Sequence, residues 1–150
     1  MLRVTARMSC FYSNFQRDKV YGLLTAEEIE AAENRTIWQE QNRELAKELK
    51  KVEAHETIRG CQVFTDEQGI LRLEGRLQET SMTINEKHPI VIPGKTHFTR
   101  ILFSHVHEET FNGGVRDTLD RLRTKFWILG GRQKVENVIR TCIICRNYNY

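Results

Sequence analysis

The chain has 150 residues, of which 39% are hydrophobic and 29% charged, a composition that suits one domain, or a small domain with an ordered extension. No run of about 18 apolar residues occurs, which argues against a membrane-spanning helix, and Met1 to Asn14 has arginines but no continuous apolar stretch, which argues against a secretory signal. The net charge of +3 hides an asymmetry: residues 1–94 carry 13 Lys/Arg against 15 Asp/Glu, and residues 95–150 carry 10 against 5. Clustered positive charge attracts phosphate backbones through counterion release, although a merely basic surface is the plainer reading.

Residues 1 to about 22 show weak periodicity and are expected to form a disordered or loosely attached leader. Thr25-Ala26-Glu27-Glu28 reads as a capping box, with Thr25 as the cap and Glu28 reaching back to it. The helix it starts meets no proline or glycine before Ala54 or Ile58. Its apolar positions, Ile29, Ala32, Leu45, Leu49 and Val52, leave a thin stripe with a gap near Gln39 to Asn42. From Cys61 the period becomes strand-like. Cys61-Gln62-Val63-Phe64 is one strand, Asp66 to Gly69 a turn with Gly69 free to take positive φ, and Ile70-Leu71-Arg72-Leu73 the return strand. Gly75-Arg76-Leu77 continues it past a bulge. Ile90-Val91-Ile92 is a further strand that its flanking prolines bound or place at an edge. A small antiparallel sheet of about three strands follows from these patterns.

Helices return at Thr96. Phe98, Ile101, Leu102 and His105 recur at helical spacing, and that helix should end near Glu109. A second helix is expected from about Val115 to Lys125, with Val115, Leu119, Leu122 and Phe126 inward, and a third from about Arg132 to Thr141, with Val135, Val138 and Ile139 inward. Gly113-Gly114 and Gly130-Gly131 separate the three. Phe126 and Trp127 are assigned to the core rather than to a base-stacking platform. The fold class is therefore α+β: a long N-terminal helix, a small antiparallel sheet, then a three-helix bundle that a zinc ion would staple. The segments are 1–22 as leader, 23–94 as helix plus sheet, and 95–150 as the helical domain.

Cys142-Ile143-Ile144-Cys145 places two thiols on one tight turn, a spacing suited to Zn²⁺. Two buried thiols on an apolar turn are the plainer alternative. A thioredoxin-type redox pair fits less well, since this pair closes a helix rather than opening one. Cys10 and Cys61 sit in unrelated contexts, so a metal knuckle in a reducing compartment is preferred to disulfides.

The stretch Glu86 to Asn147 resembles the integrase zinc-binding domain of Pao/BEL-type LTR retrotransposon polyproteins. The resemblance rests on Lys87 to Pro93, His107 to Gly114, Thr118 to Arg123, Phe126-Trp127-Ile128, Gly131-Arg132 and the Cys142/Cys145 knuckle. Asp66 to Leu77 and Leu24 to Ile29 resemble the segments that precede the domain in such polyproteins. By resemblance, His107 is the first imidazole ligand. Where the pattern has a second histidine, just before the glycine pair, this chain has Asn112, whose neutral amide oxygen is a poor zinc donor beside imidazole. His105 lies two residues before His107, about 200° around a helix, and His97 about 15 Å back along it, so neither is a ready substitute. Glu108, Glu109 or water could fill the fourth position.

The resemblance implies Zn²⁺ as cofactor, contacts to DNA at the element's ends and to integrase subunits or a second copy, and no membrane. The compartment stays open, with a nuclear role fitting the family. Candidate phosphate contacts are Arg116, Arg123, Lys125, Arg132 and Lys134, some of which could pair instead with neighbouring carboxylates. No Ser/His/Asp set, phosphate-binding glycine loop or paired-carboxylate motif is evident, so the expected role is an accessory domain without the catalytic integrase core. The chain is expected to be a polyprotein fragment. The alternative is a protein-interaction module, or a decayed or domesticated copy whose zinc site has lapsed.

Overall fold

The computed structural model of the chain describes residues 25–53, 57–58, 60–74 and 83–147. The expected leader and the Gly75-Arg76-Leu77 continuation lie outside the described residues. The chain divides into two compact units, Met1–Gln39 and Glu40–Tyr150. In the first, helix α1 (Ala26–Glu44) starts at the expected capping box: the Glu28 N–H donates to Thr25 Oγ1 at 3.2 Å, and the Thr25 N–H donates to the Glu28 carboxylate at 2.8 Å. The reciprocal pair satisfies two backbone donors at the helix start and fixes the entry of the chain.

The expectation of an unbroken helix to Ala54 or Ile58 is corrected. The helix bends at Leu45, and α2 (Ala46–Glu53) follows. The i to i+4 bonding carries through the bend, from the Leu45 N–H to the Gln41 carbonyl and from the Leu49 N–H to the Leu45 carbonyl. The bend seats Leu45 in a cluster with Ile58, Leu71 and Val91, against which Leu49, Val63, Leu73 and Leu129 pack. Burying such side chains contributes about 1.5–3 kcal/mol each, so tertiary contact sets the course of a helix with few apolar positions of its own.

The sheet has four strands in the order β1 (Val63–Thr65), β2 (Leu71–Leu73), β3 (Ile90–Ile92) and β4 (Phe126–Ile128). β1 and β2 form the expected hairpin, with Gly69 at φ 75° in its loop. The carboxylate of Asp66 organises that loop, accepting from the Gln68 and Ile70 N–H groups and from Arg72 Nε at 2.6 Å. The Arg72 guanidinium also bonds Asn85 Oδ1 and the His88 carbonyl, which ties the hairpin to helix α3 (Ile84–Lys87). β3 is bounded by its prolines but is an interior strand with all three residues buried, antiparallel to β2 and parallel to β4.

The fourth strand corrects the sequence reading. Apolar neighbours and helical register place both Phe126 and Trp127 in the core. In the structure Phe126-Trp127-Ile128 is a strand, so successive side chains alternate: Phe126 is 6% exposed and Trp127 is 37% exposed. Between β3 and β4 run α4 (His97–Glu109) and α5 (Val115–Arg123); after β4 come α6 (Gly131–Thr141) and the short α7 (Ile143–Asn147). The three expected helices are therefore present, close to their expected limits. The inward face of α4 differs from the expected one. Phe98 is buried, but Ile101 and His105 are exposed, and Thr99, Phe103, Val106 and His107 take the buried side. In α6, Val135 and Ile139 are buried as expected.

Candidate metal centre

The site is built at the end of α4. His107 lies in its last turn and is 2% exposed. The helix ends in a Schellman motif: the Phe111 N–H donates to the Glu108 carbonyl, and the Asn112 N–H donates to the His107 carbonyl. The residue usually glycine in that motif is here Phe111 at φ 53°, and Asn112 follows at φ 58°. The sharp reversal thus belongs to Phe111 and Asn112. Gly113 and Gly114, expected to make it, do not have positive φ. Gly113 instead allows a close approach, since a Cβ there would lie 3.0 Å from the Thr110 carbonyl oxygen and 3.1 Å from Asp117. Gly114 is the N-cap of α5.

The second half of the site comes from the junction of α6 and α7. Cys142 ends α6 in an extended conformation, and Cys145 sits on α7 at 3% exposure. His107 Nε2 lies 3.2 Å from Cys145 Sγ. The ligand atoms of His107, Cys142 and Cys145 all lie within 4.8 Å of one another. Donors around one tetrahedral Zn²⁺, bonded at about 2.0–2.3 Å, stand roughly 3.3–3.8 Å apart, so the three fit a single ion. Asn112 completes the ring of groups. Its side-chain oxygen is 3.7 Å from Cys142 Sγ, and its carbonyl oxygen is 3.8 Å from Cys145 Sγ.

The electrostatics suit a cation. Burial pushes the Cys145 thiol above its ordinary range, and the neighbouring Cys142 pushes it further. Burial thus favours the neutral Cys145 thiol, whereas a bound divalent cation stabilises a thiolate directly. His107 Nδ1 is buried with no hydrogen-bond partner among the described residues. A buried imidazole whose protein contacts are a thiol on one nitrogen and nothing on the other costs about 1–3 kcal/mol. Ligation through Nε2 would replace the thiol contact and leave Nδ1 unpaired.

The other histidines are elsewhere. His105 is on the outer face of α4, where Nε2 meets Glu109 at 3.3 Å, and His97 is exposed in the first turn. Glu108 and Glu109 are exposed and do not join the cluster.

The candidate phosphate contacts are dispersed, and several have acidic neighbours. Arg116 and Arg123 both approach Asp120, at 3.8 and 3.5 Å, and Arg132 approaches Glu136 at 3.3 Å. Such exposed pairs contribute about 0–1 kcal/mol, so they do not lock the guanidinium groups away from other partners. Lys125 Nζ lies 5.3 Å from the Phe126 ring centroid. Lys134, on α6, lines a cavity that it shares with residues at the start of α4.

One histidine and a Cys-x-x-Cys pair brought to one point supply three of the four donors of a structural zinc site. Residues 95–150 match the family model described as the integrase zinc binding domain. Searches of curated proteins and of solved structures returned no match. The matched segment runs from Lys95 through both cysteines, and the match is to the zinc-binding domain alone.

Proposed function

We propose that residues 95–150 act as the zinc-binding accessory module of an integrase from a Pao/BEL-type retrotransposon polyprotein. The module holds Zn²⁺ through His107, Cys142 and Cys145 and contacts DNA and partner integrase subunits, with no part in the chemical step. One observation carries this reading: within the matched segment, donor atoms 38 residues apart in sequence converge to 3.2 Å. The ion's contribution is structural, joining the end of α4 to the α6–α7 junction. Asn112 lines the fourth position and leaves it to a weak oxygen donor or water.

Metal analysis of the purified chain tests the reading. About one zinc per chain is expected, lost on Cys142→Ser or His107→Gln. Asn112→His should tighten zinc, because asparagine and histidine are both enriched at positive φ and an imidazole there adds a fourth strong donor. A chain that takes up no zinc, or that holds it equally well in all three variants, would overturn the proposal.

A second reading, a protein-interaction module, draws on the apolar surface beside the knuckle, where Phe111 is 94%, Ile143 75% and Ile144 50% exposed. Salt separates the two. Phosphate contacts give a steep negative dependence of affinity on salt, and apolar docking does not.

A further inference from the structure

The cavity that contains Lys134 is assigned by neither the family match nor the metal site. It has a volume of about 510 Å³ and is lined by Gly94, Lys95, Thr96, Arg100 and Phe103 on one side and by Lys134, Asn137, Val138 and Thr141 on the other. Its place follows from the topology. β3 and β4 are parallel, so the segments that leave them, one leading into α4 and the other into α6, emerge at the same edge of the sheet. Crevices at the carboxyl ends of parallel strands are where open α/β sheets hold ligands.

Three cations from three separate turns, Lys95, Arg100 and Lys134, line this one cavity, and among the described residues no carboxylate does. None of the three takes part in an ion pair among the described residues. That contrasts with Arg116, Arg123 and Arg132, each of which has an acidic neighbour. Like charges brought together without counter-charge repel one another, and an anion between them relieves that repulsion.

Gly94 leaves room for the lysine on α6. A Cβ on Gly94 would come within 2.6 Å of Lys134 Cε, so the absent side chain is what lets the lysine stem lie across the backbone at this point. Phe103 and Val138 give the lining an apolar part, and Asn137 an amide; the Thr96 and Thr141 hydroxyls already donate within the protein, to Thr99 Oγ1 and to the Asn137 and Val138 carbonyls. Two ammonium groups, a guanidinium and an amide lining one cavity suit a phosphate oxyanion.

We propose that this cleft binds a phosphate of a nucleic-acid backbone, with Lys95, Arg100 and Lys134 as its cationic contacts. The proposal rests on the reading of residues 95–150 as a nucleic-acid-contacting module and gives that contact a location away from the metal site.

Two measurements on the full chain test it. In the first, inorganic phosphate is titrated against chloride at equal ionic strength, and backbone amide resonances are followed. Shifts should concentrate at residues 94–100 and around Lys134, and should vanish in Lys95→Gln/Arg100→Gln/Lys134→Gln. In the second, binding of a labelled DNA duplex is measured across salt concentrations for wild type, the triple variant and Arg116→Gln/Arg123→Gln. The triple variant should weaken binding about tenfold near 0.1 M salt and flatten the log–log salt slope by roughly one to two units.

Wild-type DNA binding that the triple variant leaves unchanged overturns the cleft while the nucleic-acid reading stands. Phosphate shifts without DNA binding overturn the nucleic-acid source and with it that reading. Neither phosphate shifts nor DNA binding overturns both.

Discussion

Gln41 is fully buried, and its side chain takes the place of a rung in the sheet. β2 and β3 pair at Arg72 and Ile90, and the Leu73 N–H donates to the Pro89 carbonyl. At Leu71 and Val91 the amide of Gln41 stands between the strands. Its Nε2 donates to the Leu71 carbonyl at 3.0 Å and to the Val91 carbonyl at 2.7 Å, and its Oε1 accepts from the Leu71 N–H at 2.8 Å. Gln41→Met keeps the unbranched shape and removes all three bonds. Each bond contributes about 1 kcal/mol net, and each buried group left unpaired costs about 1–3 kcal/mol. Partial closure of the strands recovers some of that, so a loss of about 3 kcal/mol is expected. Urea unfolding followed by far-ultraviolet circular dichroism measures it, with the exposed Gln39→Met as control, expected within about 0.5 kcal/mol of wild type. A Gln41→Met loss below about 1 kcal/mol would refute the idea that the amide bridges the strands.

Two further outcomes are expected. Phe111→Gly should raise the melting temperature, by the equivalent of about 1 kcal/mol, because Phe111 holds φ 53° and is 94% exposed, so glycine relieves backbone strain and loses little burial; an unchanged or lower melting temperature contradicts this. For Asp66, burial alone would raise the carboxyl pKa, but the bonds from Arg72, Ile70 and Gln68 and the Arg72 charge outweigh it and leave the pKa lowered. A lowered folded-state pKa means the stabilisation is present above the unfolded carboxylate value, about 4, and is lost as pH falls through the folded one. The stability difference between wild type and Asp66→Asn should therefore be clear at pH 7 and shrink below about pH 4 in unfolding measurements; a difference independent of pH contradicts the ion pair's role.

What the sequence made legible was whatever rested on local chemistry. The Thr25–Glu28 capping box, the Gly69 turn and the limits of α4, α5 and α6 are each specified by residues within a few positions of one another. A second capping box, Thr83 with Glu86, carried the same signal and went unread; the structure shows both of its reciprocal bonds. The parts that were missed depend on distant partners. Gln41 fell in what looked like a gap in the apolar stripe of α1, since nothing local reveals that a buried amide will meet two strands 30 and 50 residues later. β4 was not legible as a strand because three apolar residues in a row are compatible with either period, and only pairing with β3 decides between them.

The metal centre lies between these extremes. The spacing of Cys142 and Cys145 is local, and their meeting with His107 is not, yet the approach has a local cause at the other end. In the Schellman motif the bond from the Asn112 N–H to the His107 carbonyl fixes the position after the reversal against the ligand-bearing turn. Whatever residue stands at 112 is therefore carried to this corner of the candidate site by the helix cap. That separates the geometry of the corner from its chemistry. The backbone already delivers the position, with the Asn112 side-chain oxygen 3.7 Å from Cys142 Sγ, and the side chain sets only the donor strength. On the proposed reading, Asn112→His therefore changes the donor offered at this corner and leaves the fold as it is.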